Sequence, residues 1–284
     1  MKLALFHTDG AWAATLVHAL LGDGLDELAL FEAADADGPN PDIARHAREV
    51  GAPTFRVVDA DSDACFEALS AFSPDLLLVA TFPSKLPQRL LLIPSIAAVN
   101  VHPSLLPRYR GAHPEFWVIR NGENESGVTL HRMSEQLDAG EVICQRRVEL
   151  AMDETLDSLC DKLGEVATAA VREFLEFCRA GGSIVSTPQD DASTSAAPRV
   201  RPADLRIDWT EPAAEVERLV RASYPWLEAT ATIGGREVVV RRCALASGPS
   251  DLAPGEFRVQ AATGFIEVGA GHGALVLERV EYPG

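Results

Sequence analysis

Asp75-Leu76-Leu77-Leu78-Val79-Ala80 is an unbroken apolar run behind an aspartate, and Thr81-Phe82-Pro83 follows it at once. A strand without polar alternation is buried on both faces, the pattern of a parallel sheet covered by helices. Reading outward, short apolar runs and helix-like segments keep alternating. Toward the N-terminus, residues 3–6, 28–31 and 55–58 read as strands. Residues 11–21, 41–50 and 61–72 read as helices, with Pro41 suited to a first turn and Asp61 or Ser62 available as a cap. Residues 97–101, 126–133 and 142–150 are further strands. Strands alternating with helices imply parallel pairing through right-handed crossovers, so the first half is expected to be α/β and Rossmann-like, with a parallel-rich sheet. Such sheets bind ligands beyond the carboxyl ends of their strands. The segments after Ala80 and Val101 fall at such ends. After the first strand stands His7-Thr8-Asp9-Gly10 in place of a Gly-x-Gly-x-x-Gly fingerprint, so no dinucleotide is indicated.

Residues 154–179 form a long amphipathic pattern that stops at Gly181-Gly182. Composition then shifts: residues 188–202 are rich in Pro, Asp, Ser, Thr and Ala. This reads as a linker. Beyond it come a helix over 212–222 and short strands over 229–233, 237–243, 257–260, 264–268 and 274–281, with Gly234-Gly235 as a hairpin turn. That run suggests a small OB-like β-barrel. The expected organisation is a catalytic domain over 1–187, a linker over 188–203 and the barrel over 204–284.

The 284 residues carry 42 acidic and 25 basic side chains, a net charge of -17. A nucleic-acid binder needs a basic face to neutralise phosphates, so the balance argues against a polyanionic macromolecule as partner. The five cysteines (Cys65, Cys144, Cys160, Cys178, Cys243) form no Cys-x-x-Cys pair and are odd in number. They read as reduced, buried thiols of a cytoplasmic protein. No spacing suits a metal site, the apolar N-terminus is too short for a signal peptide, and no run is long enough to span a bilayer.

Chemistry concentrates between Asn100 and Gly140. Asn100 and His102 are two apart and point the same way from a strand, where the apolar stretch gives out into Pro103. Asp138 lies in Asp-Ala-Gly. An amide, an imidazole and a carboxylate suit polarising a carbonyl while a proton moves nearby. Each also has an ordinary structural explanation, as a loop-fixing hydrogen-bonder or a turn residue.

The longer pattern is more specific. Asn100-x-His102, Ser104-Leu105-Leu106-Pro107, Arg110-Gly111, Gly127-Val128-Thr129 and Asp138-x-Gly140 together resemble the signature of the formyltransferase family that uses 10-formyltetrahydrofolate. The long helix, the linker and the segment from Ile207-Asp208-Trp209 to Pro225-Trp226 resemble the carboxyl-terminal part of methionyl-tRNA formyltransferases and of the enzymes acting on nucleotide-linked amino sugars. The resemblance implies direct transfer of a formyl group from N10 of the folate to a primary amine. It makes Asn100 an oxyanion donor, His102 an oxyanion donor and proton carrier, and Asp138 a base or an orienter of His102. It implies a folate site near Thr81, Phe82, Leu86, Leu137 and Gly140, and acceptor contacts from Arg108, Tyr109, Arg110 and His113. Ser104 is expected to fix its turn by a side-chain-to-backbone bond. His131 reads equally as a packed histidine or a ligand, and Phe116 and Trp117 as helix core.

The chain departs from the tRNA-specific pattern in four places, one of them the phrase Gly-Ala-His-Pro-Glu-Phe-Trp from Gly111 to Trp117. His7-Thr8-Asp9-Gly10-Ala11-Trp12 replaces a Gly-Thr-Pro-Glu-Phe-Ala-like loop, no basic insertion is visible, and Pro225-Trp226-Leu227-Glu228-Ala229 replaces Pro-Trp-Pro-Gly-Ala. With the net charge, this points to a small amine, either a nucleotide-linked amino sugar or an amino-acid-like metabolite. A methionyl-tRNA acceptor, hydrolysis of the formyl folate, and a folate-binding protein without activity are the alternatives. The assignment leaves room for a homodimer.

Overall fold

A computed structural model describes the chain except Asp9, Gly24, Asp26, residues 35–39, Ala262, Pro283 and Gly284; Asp9, within the loop after the first strand, thus lies outside the described residues. In chain order the elements are β1 (Lys2–His7), α1 (Ala11–Gly22), β2 (Glu27–Ala33), α2 (Pro41–Val50), β3 (Thr54–Val57), α3 (Asp63–Phe72), β4 (Leu76–Ala80), α4 (Gln88–Leu91), β5 (Ala97–His102), α5 (Pro114–Arg120), β6 (Glu125–Arg132), β7 (Val142–Glu149) and α6 (Leu156–Arg179). There follow α7 (Ala213–Ser223), β8 (Thr230–Ile233), β9 (Arg236–Leu245), β10 (Phe257–Val259), β11 (Ile266–Gly269) and β12 (Ala274–Glu281). Contacts divide the chain into two units. One comprises Met1–Pro114, Glu125–Glu149 and Cys160–Ala197; the other comprises Glu115–Asn124, Leu150–Leu159 and Pro198–Gly284.

The first unit is built on a sheet of order β3-β2-β1-β4-β5-β6-β7. Its strands β1 to β5 are parallel, and β6 and β7 are antiparallel. The strand order reverses between β1 and β4, the crevice where doubly wound sheets take their ligands. Alternate residues of the central strands serve two cores. Phe6, Phe31, Leu77 and Val79 pack with Cys65, Leu69, Leu86 and Leu90 on one face. Leu3, Leu5, Leu28, Leu30, Leu76 and Leu78 are buried as well. Burial on both sides is why these strands lack polar alternation. Phe6 stacks on Phe31 with ring centroids 4.6 Å apart, and Phe31 on Phe55 at 4.9 Å. Helix starts are fixed locally: the Asn40 side chain accepts from the N–H groups of Asp42 and Ile43, and Ser62 caps α3 by accepting from Cys65 N–H.

The second unit carries an antiparallel sheet of order β10-β11-β12-β9-β8. It curls into a half-barrel, in keeping with the expected OB-like form, with β8 and β10 at its edges among the described residues. Gly234-Gly235 turn the β8–β9 hairpin. α7 buries Val216, Leu219 and Val220, and the buried side chains of the strands include Val239, Val240, Leu275 and Leu277. Among the described residues, no helix is long and apolar enough to cross a membrane. All five cysteines are free, and burial pushes the Cys243 thiol up to about 12.

Candidate active site

β5 ends the parallel run, and its last residues carry the first two candidates. Val79 of β4 pairs with Asn100, and across the antiparallel partner Asn100 faces His131 while His102 faces Thr129. The period of two puts Asn100 and His102 on one face, and the register brings His131 beside them. Asp138 arrives on the β6–β7 loop with φ of 51°, a left-handed conformation that costs a non-glycine residue free energy. Thr81 (φ 55°) and Tyr109 (φ 61°) share that conformation. The non-glycine residues with positive φ therefore gather around this edge of the sheet, with Ser73 the one exception among the described residues.

The four polar side chains form one network. Asn100 Nδ2 donates to His131 Nε2 at 3.1 Å and makes a longer contact of 3.4 Å with Asp138 Oδ1. His131 Nδ1 donates to its neighbour's carbonyl, Arg132 O, at 2.9 Å. These bonds fix the neutral tautomer with the proton on Nδ1. Burial first, then the neighbouring His102, pushes the His131 pKa down to about 4. His102 Nε2 lies 2.9 Å from Tyr109 O. Since a carbonyl only accepts, the proton of neutral His102 sits on Nε2, and the Nδ1 lone pair faces Asp138 Oδ2 at 3.8 Å. The same carboxylate oxygen accepts from Gly111 N–H at 3.0 Å. His102 and Asp138 are 3% and 8% exposed, so a charge appearing on either is felt strongly by the other.

Two glycines of the motif have direct steric reasons. Gly111 has φ of 130°, and a Cβ there would stand 2.4 Å from Ala197 O. At Gly140 a Cβ would stand 1.7 Å from Arg132 O. Thr129 explains the Gly-Val-Thr element: its hydroxyl donates to Ser104 O at 2.6 Å and accepts from Leu106 N–H and from Gln145 Nε2. Gln145 Nε2 also donates to Leu106 O. Ser104 Oγ donates to Arg108 O at 2.8 Å, holding the following turn. These buried bonds pin the Leu-Leu-Pro loop against β6.

The remaining sequence candidates separate into distinct environments. Thr81 accepts from the Thr8 hydroxyl at 2.8 Å, at the end of β4. Phe82 packs edge-on against Phe6, and Leu86 is buried in the same core. Leu137 is 63% exposed. Arg108 is exposed with its guanidinium over the Tyr109 ring, while Tyr109 itself is buried. Arg110 is held by Gln189 and by Asp191. His113 is half-buried, and its N–H donates to Ala197 O. Asn100, His102, His131 and Asp138 are thus brought together, whereas Phe82 and Leu86 face the core. Residues 187–197, whose composition reads as a linker, run beside the site: Thr187 exchanges two backbone bonds with Val142, Arg110 N–H donates to Ser195 O, and Tyr109 N–H donates to Ser195 Oγ. No local pattern in the sequence announces that path.

Two other buried titratable groups are isolated. His7 is fully buried at the end of β1, its Nε2 lacks a partner among the described residues, and burial lowers its pKa to about 4. Glu115 Oε2 is likewise unpartnered, and burial raises that carboxyl to about 7. The second unit contains a cavity of about 940 Å³, lined by side chains including Ile119, Leu150, Met152, Val220, Arg241 and Arg242. It contains none of the Asn100–Asp138 network. No group of three or more potential metal ligands occurs among the described residues.

A buried amide–imidazole–carboxylate network at the carboxyl edge of a parallel-rich sheet can polarise a carbonyl and carry a proton. Residues 25–175 match the family model described as formyl transferase, and residues 199–284 match that of the formyl transferase C-terminal domain. The chain belongs to the formyl transferase family. It is 37% identical over 244 residues to a methionyl-tRNA formyltransferase of Citrifermentans bemidjiense, covering 86% of this chain and 76% of that one. It is 38% identical over 237 residues to the protein of that name from Myxococcus xanthus, covering 84% and 75%. An N-formyltransferase from Helicobacter canadensis, solved with folinic acid and dTDP-3-aminofucose, shares the fold with a TM-score of 0.72 over 98% of each chain at 16% identity. HypX from Aquifex aeolicus, solved with tetrahydrofolic acid, gives 0.71 at 22% identity, covering 98% of this chain and 43% of that one.

Proposed function

We propose that the protein transfers a formyl group from 10-formyltetrahydrofolate to the primary amine of a small acceptor, an amino sugar on a nucleotide or an amino-acid-like metabolite. The observation that carries the chemistry is the network itself: a neutral amide donor 3.4 Å and an imidazole nitrogen 3.8 Å from one buried carboxylate. The amine nitrogen attacks the formyl carbon, the C–N10 bond breaks, a proton leaves the amine and one arrives at N10. Asn100 donates to the developing oxyanion by exchanging its long contact with Asp138 for the substrate oxygen, and its bond to His131 keeps the amide oriented. His102 is the proton carrier. Its Nε2 proton is already given to Tyr109 O, so Nδ1 is the end that accepts, and the imidazolium so formed faces Asp138. Asp138 compensates that charge while Gly111 N–H fixes its orientation. The folate site is assigned to the β4 end at Thr81 and the loop from Leu137 to Gly140. Arg108, Tyr109, Arg110 and His113 are assigned to the acceptor side, with Arg108 as the exposed cation.

A small acceptor is favoured by the charge of -17. Within the second unit Arg120, Arg218, Arg221, Arg241 and Arg242 each meet a glutamate, so these five offer less of their charge to a phosphate backbone. Initiator methionyl-tRNA is the second reading, supported by the names of the relatives at 37% and 38% identity.

The test is a panel of amino acids, nucleotide-linked amino sugars and charged initiator tRNA, incubated with 10-formyltetrahydrofolate and read by tetrahydrofolate release. Turnover of a small amine and none of the tRNA is expected; the reverse would replace this reading with the second. His102→Ala and Asp138→Ala are expected to abolish transfer while retaining folate binding, and normal turnover in either would remove the assigned mechanism.

A further inference from the structure

Gln189 lies in the segment whose composition reads as a linker, in the gap between the two matched family segments. Its amide joins two stretches of chain that both reach the candidate site. Gln189 Nε2 donates to Asp138 O at 2.8 Å and to Gly140 O at 2.7 Å. Its Oε1 accepts from Arg110 Nε at 3.0 Å and from Arg110 Nη2 at 2.7 Å. The chemistry fixes which end of the amide is which, because carbonyls only accept and a guanidinium only donates. All four hydrogen bonds lie within the first unit.

The two stretches are those that set Asp138. One is the Asp138-Ala139-Gly140 loop itself, held at a left-handed Asp138. The other is Arg110-Gly111, whose Gly111 N–H binds the Asp138 carboxylate at 3.0 Å. The neighbouring backbone is strapped at the same place: Ala197 N–H donates to Arg110 O at 2.7 Å, and Arg110 N–H to Ser195 O at 2.9 Å. Removing the Gln189 amide would leave the strap attached by its backbone bonds, while the Asp138 loop and the Arg110 guanidinium lose their common partner.

We propose that Gln189 is a positioning residue for formyl transfer: its amide sets the distance between the Arg110-Gly111 turn and the Asp138 loop, and thereby aims the carboxylate at His102. This rests on the assignment of Asn100, His102 and Asp138 as the catalytic group. Gln189 touches neither substrate nor the reacting atoms; it acts through backbone and guanidinium contacts.

The discriminating variant is Gln189→Glu. A glutamate keeps an acceptor for Arg110, and so keeps the strap anchored, but presents oxygen to Asp138 O and Gly140 O, where donors are needed. Were Gln189 only an anchor, Glu would rescue it. As a positioning residue, both Gln189→Ala and Gln189→Glu lower kcat by ~10–100-fold, the cost of a catalytic group displaced by about an ångström. The folate KM rises as well, because the loop from Leu137 to Gly140 is also assigned to the folate, so the positioning role is read in kcat at saturating folate. Hydrogen exchange on the full-length protein, with no substrate added, shows the amides of residues 138–140 opening at least ~10-fold faster in both variants, with β1 and β4 unchanged.

Wild-type kcat in Gln189→Glu, or unaltered exchange at residues 138–140, overturns the proposal. His102→Ala in the same turnover assay separates it from the reading beneath. Turnover that survives His102→Ala removes the site assignment. Turnover lost in His102→Ala but kept in Gln189→Glu removes the role of Gln189 alone.

Discussion

Acidification should destabilise the first unit through two buried histidines, His131 and His7. His131 and His7 are both held at about 4, against an ordinary value of 6.5, with burial as the largest cause. A histidine depressed in the folded state is protonated first in the unfolded chain. Its contribution to stability is therefore complete above pH 6.5 and is lost as pH falls toward 4. Between pH 7 and pH 5 the linkage amounts to ~2 kcal/mol for each histidine, ~4 kcal/mol for the pair. At pH 5 native His131 is still roughly nine-tenths neutral, so the Asn100 amide keeps its acceptor. The informative substitution is His131→Gln, which retains an acceptor for Asn100 but does not titrate. Urea unfolding of wild type and variant at pH 7 and pH 5 gives the quantity needed. Carboxylates remote from His131 contribute equally to both proteins and cancel in the double difference. The variant should lose ~2 kcal/mol less than wild type over this interval. A double difference below ~0.5 kcal/mol would refute the argument that burial keeps His131 neutral.

Three further outcomes test the local physics. Gly111→Ala should cut turnover by ~10-fold or more, because its Cβ meets Ala197 O at 2.4 Å and moves the N–H that holds Asp138; a circular dichroism spectrum like wild type would show that the loss is local. Thr129→Val should lower stability by ~1–3 kcal/mol in urea unfolding, since it leaves Leu106 N–H without its hydroxyl partner in a buried loop. Glu115→Gln should stabilise the chain at pH 8 and have little effect at pH 5. The Glu115 carboxyl is raised to about 7, so wild type loses stability as pH climbs from the ordinary carboxylate value through 7, and a neutral amide does not. Melting temperatures at the two pH values check this, and equal shifts at both would contradict it.

Much of the first unit was legible because its signals are local. The apolar run before Thr81, Pro41 in a first helical turn, the Ser62 cap and the glycine pair after the long helix each act within a few residues. Asn100 and His102 could be placed on one face from their spacing alone. Their partners could not. His131 reaches Asn100 only through the register of an antiparallel pair, and a histidine on a strand is equally suited to quiet packing. Gln145 and Thr129 act through one hydroxyl shared with a loop more than twenty residues earlier. Gln189 sits among Pro, Asp, Ser and Thr, where composition suggests freedom, yet four hydrogen bonds tie its amide down. Phe82 and Leu86 turn their side chains into the core, which leaves their backbone for the contacts that the family resemblance implies there.

The bonds between residues 187–197 and the rest of the first unit also set a schedule for the chain as it is made. Asn100, His102 and Asp138 have all been synthesised once residue 138 is added, but Gln189 follows fifty-one positions later, and Ala197, whose carbonyl lies against Gly111, later still. A growing chain, emerging at ~5–20 residues per second, therefore spends several seconds with all three candidate side chains present and the loops around Asp138 unclamped. Those loops are held only once the segment that ends the first unit has been made.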